Sequence, residues 1–164
     1  NIKLPFQHVN AASTWFEAVA GCRAKRAELV SIHSIGENEC VYKLVASQEK
    51  DLLNRNRTVW IGAYQRTNSL SSSFEWIDGT SFSFTYWARN EPKNKEGKEN
   101  CASIYHRPID GWNESGYIRH WNAIPCDKQL RDGYVCKQRS NKVINALLKS
   151  NLRQGSSSVR RRSP

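Results

Sequence analysis

Five cysteines, at positions 22, 40, 101, 126 and 136, set the tightest limit on what this 164-residue chain can fold into. No two of them stand at C-x-x-C spacing, which argues against a zinc site or a thioredoxin-type redox centre. Cysteines this far apart, in a chain with six Trp, six Tyr and five Phe, suit disulfides that staple a single domain in an oxidising compartment. The alternative is five reduced thiols packed as small apolar side chains in a cytosolic protein. Five cysteines admit many pairings, and spacing alone does not choose among them.

The length allows one domain with an ordinary core and some extra chain. The formal net charge of +10 is unevenly placed. Eight of the 25 basic residues lie from Lys137 to the end, where no acidic residue occurs, leaving 17 basic against 15 acidic residues over 1–136. The basic character therefore belongs to a tail, and the folded part carries no electrostatic case for a nucleic-acid partner. No apolar run reaches transmembrane length, and no signal peptide opens the chain. A secreted protein would have lost its leader upstream, or the chain is a fragment.

Residues 1–12 read as short and extended. Thr14 with Glu17 forms a capping-box pattern, and Trp15, Ala18, Val19 and Cys22 then share a helical face. This predicts a first helix of about 12 residues. Ala27 to Ile32 reads as a strand. Ser34 with Glu37 repeats the cap pattern before a second helix to about Gln48, with Cys40, Val41, Leu44 and Val45 on its inner face. Trp60 to Tyr64 reads as a strand with a close-packed glycine at 62. A serine-rich loop over 67–73 follows, then a strand over Phe74 to Ile77 that ends at the Asp78-Gly79 turn signal. Residues 88–100 read as polar loop. Ala102 to Tyr105, the stretch around Trp121, and Tyr134 to Cys136 are further strands. Two helices followed by several strands predict an α+β domain without internal repeats. After Cys136, Ile144, Leu147, Leu148 and Leu152 fall on one face, consistent with a short amphipathic helix that is marginal by itself. Residues 155–164 read as disordered.

The remaining signal is a loop that two cysteines can close. Glu91-Pro92-Lys93 is followed by Glu99-Asn100-Cys101, and then by Trp121-Asn122-Ala123-Ile124-Pro125-Cys126. Carboxylate and amide oxygens gathered in one loop suit a hard cation such as calcium. With Cys22 in the first helix, Glu28 to Ile32, Trp60-Ile61-Gly62 and Cys136, this ordered set resembles the C-type lectin-like domain, and looks most like secreted invertebrate forms. The resemblance covers residues 6–137. It implies two helices packed on short antiparallel sheets with a long irregular ligand loop. It also implies a domain over 1–137 whose first strand is short or truncated, followed by the basic tail at 138–164. It further implies bridges from Cys22 to Cys136 and from Cys101 to Cys126, each contributing about 2–4 kcal/mol. Cys40 is left over. It reads as a small buried hydrophobe of the second helix, or as a partner for an intermolecular disulfide.

By the same resemblance, Glu91, Lys93, Glu99, Trp121 and Asn122 occupy the carbohydrate site, and Glu91, Glu99 and Asn122 are the calcium ligands that survive. Lys93 stands where the family has Asn, and Ala123 where it has Asp. Two of the five oxygen-bearing ligands are therefore gone, and the lysine can bring an ammonium to the ion's position. Calcium takes about 6–8 oxygens, so binding here is expected to be weak or lost. The auxiliary calcium site is also expected to be absent, because residues 64–74 contain no Asp or Glu and Asn100 replaces an acid. In the family the peptide before Pro92 is cis; an ordinary trans turn is the alternative.

Asn56-Arg57-Thr58 and Asn113-Glu114-Ser115 match the glycosylation sequon. His8, His33, His106 and His120 lack metal-binding spacing, and His106 and His120 read as solvated surface residues. No nucleophile elbow or phosphate loop occurs, so no enzyme is expected. The expected function is extracellular recognition of glycans or glycoproteins through a degenerate sugar site. The alternative is a calcium-independent protein-binding module, which Lys93 and Ala123 favour. The tail is expected either to be solvated or to contact anionic glycans or lipid.

Overall fold

The structure is a computed structural model that describes residues 5–47, 58–66, 73–93, 97–107 and 117–139. The two sequons at Asn56 and Asn113, most of the serine-rich loop and the tail from residue 140 lie outside the described residues. Among the described residues, two helices and seven strands follow the order β1 (Phe6–Val9), α1 (Trp15–Ala24), β2 (Ala27–Leu29), α2 (Ile35–Ser47), β3 (Thr58–Gln65), β4 (Phe74–Trp76), β5 (Cys101–Tyr105), β6 (Trp121–Ile124) and β7 (Tyr134–Gln138).

Helix α1 starts where the sequence places a cap. The Thr14 side chain accepts from the Glu17 amide at 3.2 Å, and the Glu17 carboxylate accepts from the Thr14 amide at 2.7 Å. Two orphan amides of the first turn are thereby satisfied. At α2, Ser34 accepts from the Glu37 amide at 3.1 Å, but the Glu37 carboxylate reaches one residue further back, to the His33 amide at 2.9 Å. The inner face of α2 differs from the expectation. Its buried residues are Asn38, Val41 and Val45, while Cys40 and Leu44 are only half-buried. An amide occupies the core stripe because it has two distant hydrogen-bond partners, the buried Trp121 indole and the Arg119 carbonyl, which counting apolar residues does not credit.

The strands join one mixed sheet of seven, with β1-β7-β3-β5-β6 along its main path, β2 on β7 and β4 on β3. All pairs are antiparallel except a parallel contact of β3 with β7 at Trp60 and Tyr134. That contact ties together what the sequence suggested as separate short sheets. Strand β3 is buried on both sides. Val59, Ile61 and Ala63 enter the cluster with Val41 and Val45 of α2, while Trp60 enters the one with Trp15, Ala18 and Cys22 of α1. Strand alternation sends neighbouring residues to opposite faces, so one eight-residue strand serves both helices. Each fully buried Trp, such as Trp60, removes about 150–250 Å² from water, worth at most about 4–6 kcal/mol. Gly62 meets a steric demand, since a Cβ there would lie 2.5 Å from the Leu29 carbonyl oxygen. Its amide donates to the Val30 carbonyl at 2.7 Å.

Disulfides join Cys22 to Cys136, across 114 residues, and Cys101 to Cys126, across 25. The first clamps α1 to β7 and the second closes β5 onto the chain beyond β6. Among the described residues no helix is long and apolar enough to cross a membrane.

Candidate functional site

The long loop is fastened to the start of β6. The Trp121 amide donates to the Tyr86 carbonyl and the Ala88 amide to the Trp121 carbonyl, both at 2.8 Å, as Trp87 bridges in parallel to Trp121. A turn follows, with Asn90 at φ +63° and the Glu91 amide bonded to Ala88. The Glu91–Pro92 peptide is cis. This path brings Glu91 and Lys93 beside β6.

The Glu91 side chain is 9% exposed. Its Oε2 accepts from the backbone amides of Lys93 and Ala123, each at 3.2 Å. Its Oε1 lies 3.8 Å from the Lys93 ammonium, whose side chain is 48% exposed. An ion pair this open is worth under about 1 kcal/mol. The two amide bonds hold the carboxylate and leave one oxygen facing the lysine. Glu99 is half-buried at the approach to Cys101. Next to it, Asn100 is buried, with its side-chain amide donating to the Gly97 carbonyl at 2.6 Å and its backbone carbonyl accepting from the Gln65 amide at 2.8 Å. This residue orders the loop end where the resemblance expects an acid.

Asn122 is half-buried and paired with Ser103 across β5 and β6. Ala123 is buried under the loop. Trp121 departs from the expectation. It is fully buried and donates its indole N–H to Asn38 Oδ1 at 2.7 Å. Its ring packs against Trp76, Trp87 and Phe84, with centroids 5.4, 5.6 and 5.8 Å away. A ring enclosed on these sides is not available as a direct carbohydrate contact. Among the described residues no group of three or more His, Cys, Asp or Glu is arranged to hold a metal ion.

Other residues border the loop without a signal in the sequence, because aromatic residues in strands read only as core. Tyr105 has its phenol pushed up to about 12, by burial first and then by the Glu91 carboxylate and Tyr117. Tyr86 and His120 stack nearly parallel with centroids 4.2 Å apart. The guanidinium of Arg119 sits 4.9 Å over the Tyr42 ring and pairs with Glu39 at 3.2 Å. Two histidines expected on the surface are placed otherwise. His106 is buried, with Nε2 at 2.9 Å from Asp132 Oδ2, because a carboxylate from the loop before β7 offers it a partner. His120 is half-buried under Tyr86.

Ser31, His33 and Asp78 also meet, but not in the order a serine nucleophile needs. The buried Ser31 hydroxyl donates to Asp78 Oδ2 at 2.5 Å, and His33 Nε2 stands 3.2 Å from that hydroxyl. The proton thus points to the Asp78 carboxylate rather than to the His33 imidazole.

The Lectin C-type domain family matches residues 11–138. Human lymphocyte antigen 75 is 31% identical over 139 residues, which is 84% of this chain and 7% of that protein. Human C-type mannose receptor 2 is 32% identical over 126 residues, 76% of this chain and 7% of that protein. The crystal structure of C-type lectin CEL-I from Cucumaria echinata superposes with a TM-score of 0.64 at 27% identity, covering 80% of this chain and 87% of that one. The chain spans under a tenth of the length of these two curated relatives. The relatives are lectins and receptors, which places the domain among binding modules and not among enzymes. The chain belongs to the C-type lectin domain family.

Proposed function

We propose that this domain recognises carbohydrate outside the cell through a degenerate form of the family's sugar site, with calcium binding weak or lost. The observation that carries the reading is the pairing of Glu91 with Lys93 at 3.8 Å, on the loop where the family binds sugar. Family membership supports carbohydrate recognition. The donor set does not fit calcium: Glu91 Oε2 is engaged by two amides, and an ammonium stands where a ligand oxygen is required. A lysine beside a carboxylate offers a donor and an acceptor to neighbouring hydroxyls, and the Asn122 amide adds both. Each such bond nets about 1 kcal/mol in water, so single-site affinity would be about millimolar. The two disulfides support an extracellular location.

A calcium-independent protein-binding role on the same loop is the second reading, favoured by Lys93 and by Ala123 in place of an oxygen ligand. A glycan array probed with the purified chain, in calcium and again in chelator, separates the two. Retained binding in chelator is expected. Binding abolished by chelator would overturn the calcium reading. Absence of binding in both conditions, with the fold and disulfides intact, would transfer the site to a protein partner.

A further inference from the structure

From Ser81 to Thr85, between the turn after β4 and the bridge at Trp87, the chain joins no strand ladder. Ser81, Ser83 and Thr85 are exposed, while Phe82, Phe84 and Tyr86 are half-buried, the period-two alternation of a strand. Phe82 lies 5.0 Å from Trp76 and Phe84 5.8 Å from Trp121, ring centroid to centroid. Side chains, not backbone bonds, pin this segment to the core. Its link to β6 comes only at Tyr86, whose carbonyl accepts from Trp121. Among the described residues, no backbone N–H or C=O from Ser81 through Thr85 makes a hydrogen bond.

A held row of free donors and acceptors is a template for strand addition. Natural strands in this position are guarded by lysine, proline or a bulge. From Gly79 through Ala88 the chain carries no Asp, Glu, Lys, Arg, His or Pro. We propose that Ser81 to Thr85 pairs antiparallel with the same segment of a second copy, about a two-fold axis at Ser83. The segment is self-complementary in that arrangement. Ser83 faces Ser83, and Ser81 faces Thr85, hydroxyl pairs that favour cross-strand contact. Nothing charged opposes its mate, and the near balance of 17 basic and 15 acidic residues over 1–136 lets two domains approach. A charged peptide would find no complementary side chain on this segment. The contact is isologous and stops at two copies. Five residues per partner make a small interface, so the dimer would be transient, with dissociation at about 100 μM. This pairing does not depend on the carbohydrate reading.

Sedimentation velocity on the full chain at rising concentration, with hydrogen exchange at the same concentrations, tests it. The dimer is expected to form with concentration-dependent protection of the 81–85 amides. Ser83→Lys, on an exposed side chain, would set two ammonium groups opposite each other and weaken association at least tenfold, while Ser83→Thr would preserve it. A chain that stays monomeric up to millimolar concentration, a dimer indifferent to Ser83→Lys, or protection at another surface would overturn the proposal.

Discussion

Replacing Asn38 by Ala tests how the fold holds the ground beneath the candidate site. The Asn38 side chain is fully buried and spends both ends of its amide. Its Oδ1 accepts from the Trp121 indole at 2.7 Å and its Nδ2 donates to the Arg119 carbonyl at 2.9 Å. In Asn38→Ala the indole N–H is left without a partner in a fully buried ring, where water cannot reach it. An orphaned buried donor costs about 1–3 kcal/mol. The Arg119 carbonyl lies beside an exposed side chain and regains water, adding little. The vacated volume adds about 1 kcal/mol if the site fails to collapse. The sum is about 3 kcal/mol, or a fall in Tm of roughly 10 °C for a domain of this size. Denaturant unfolding followed by tryptophan fluorescence, with disulfides intact, reads the loss directly. A double-mutant cycle with Trp121→Phe isolates the bond, because the double variant has no orphaned indole. Coupling of about 1–2 kcal/mol is expected. A loss below about 1 kcal/mol in Asn38→Ala, or additive single variants, would refute the reasoning.

Two further outcomes follow from the same packing. Removing the Cys22–Cys136 bridge as paired alanines should cost more than removing Cys101–Cys126, about 5 against about 3.5 kcal/mol by loop entropy, because it closes 114 residues rather than 25. Chemical denaturation of the two variants ranks them, and the reverse order would count against that mechanism. Tyr105 should ionise near 12 rather than 10. Its folded pKa is raised, so the stability it contributes is complete below pH 10 and is lost as pH climbs from 10 towards 12. Absorbance at 295 nm should show Tyr105→Phe deleting a late-titrating phenol; deletion of an ordinary one near 10 would contradict the placement.

Much of this architecture was legible because it rests on local signals. The Thr14 and Glu17 cap, the Trp15-Ala18-Val19-Cys22 stripe and the close-packed Gly62 each declare themselves within a few residues. What escaped depends on partners distant in the chain. Asn38 is a core residue only because Trp121 and Arg119 come to meet it, 83 and 81 residues away. His106 is buried only because Asp132 is there to receive it. Trp121 sits in a sugar-site sequence pattern yet turns inward, since strand alternation sends it to the α2 side while Asn122 faces the other way. At the site, the resemblance implied an ammonium at the ion's position, but the Ala123 amide that also holds Glu91 comes from β6, 32 residues on, which no local pattern encodes.

On the proposed reading, Lys93 and the amides on Glu91 take the place of a calcium ion. Calorimetric titration of the oxidised full chain with calcium tests it most directly. No binding tighter than about 1 mM is expected at this loop, with a gain of at least tenfold in Lys93→Asn, which restores an oxygen ligand and removes the ammonium. A submillimolar constant in the unaltered chain that disappears in Glu91→Gln would contradict it.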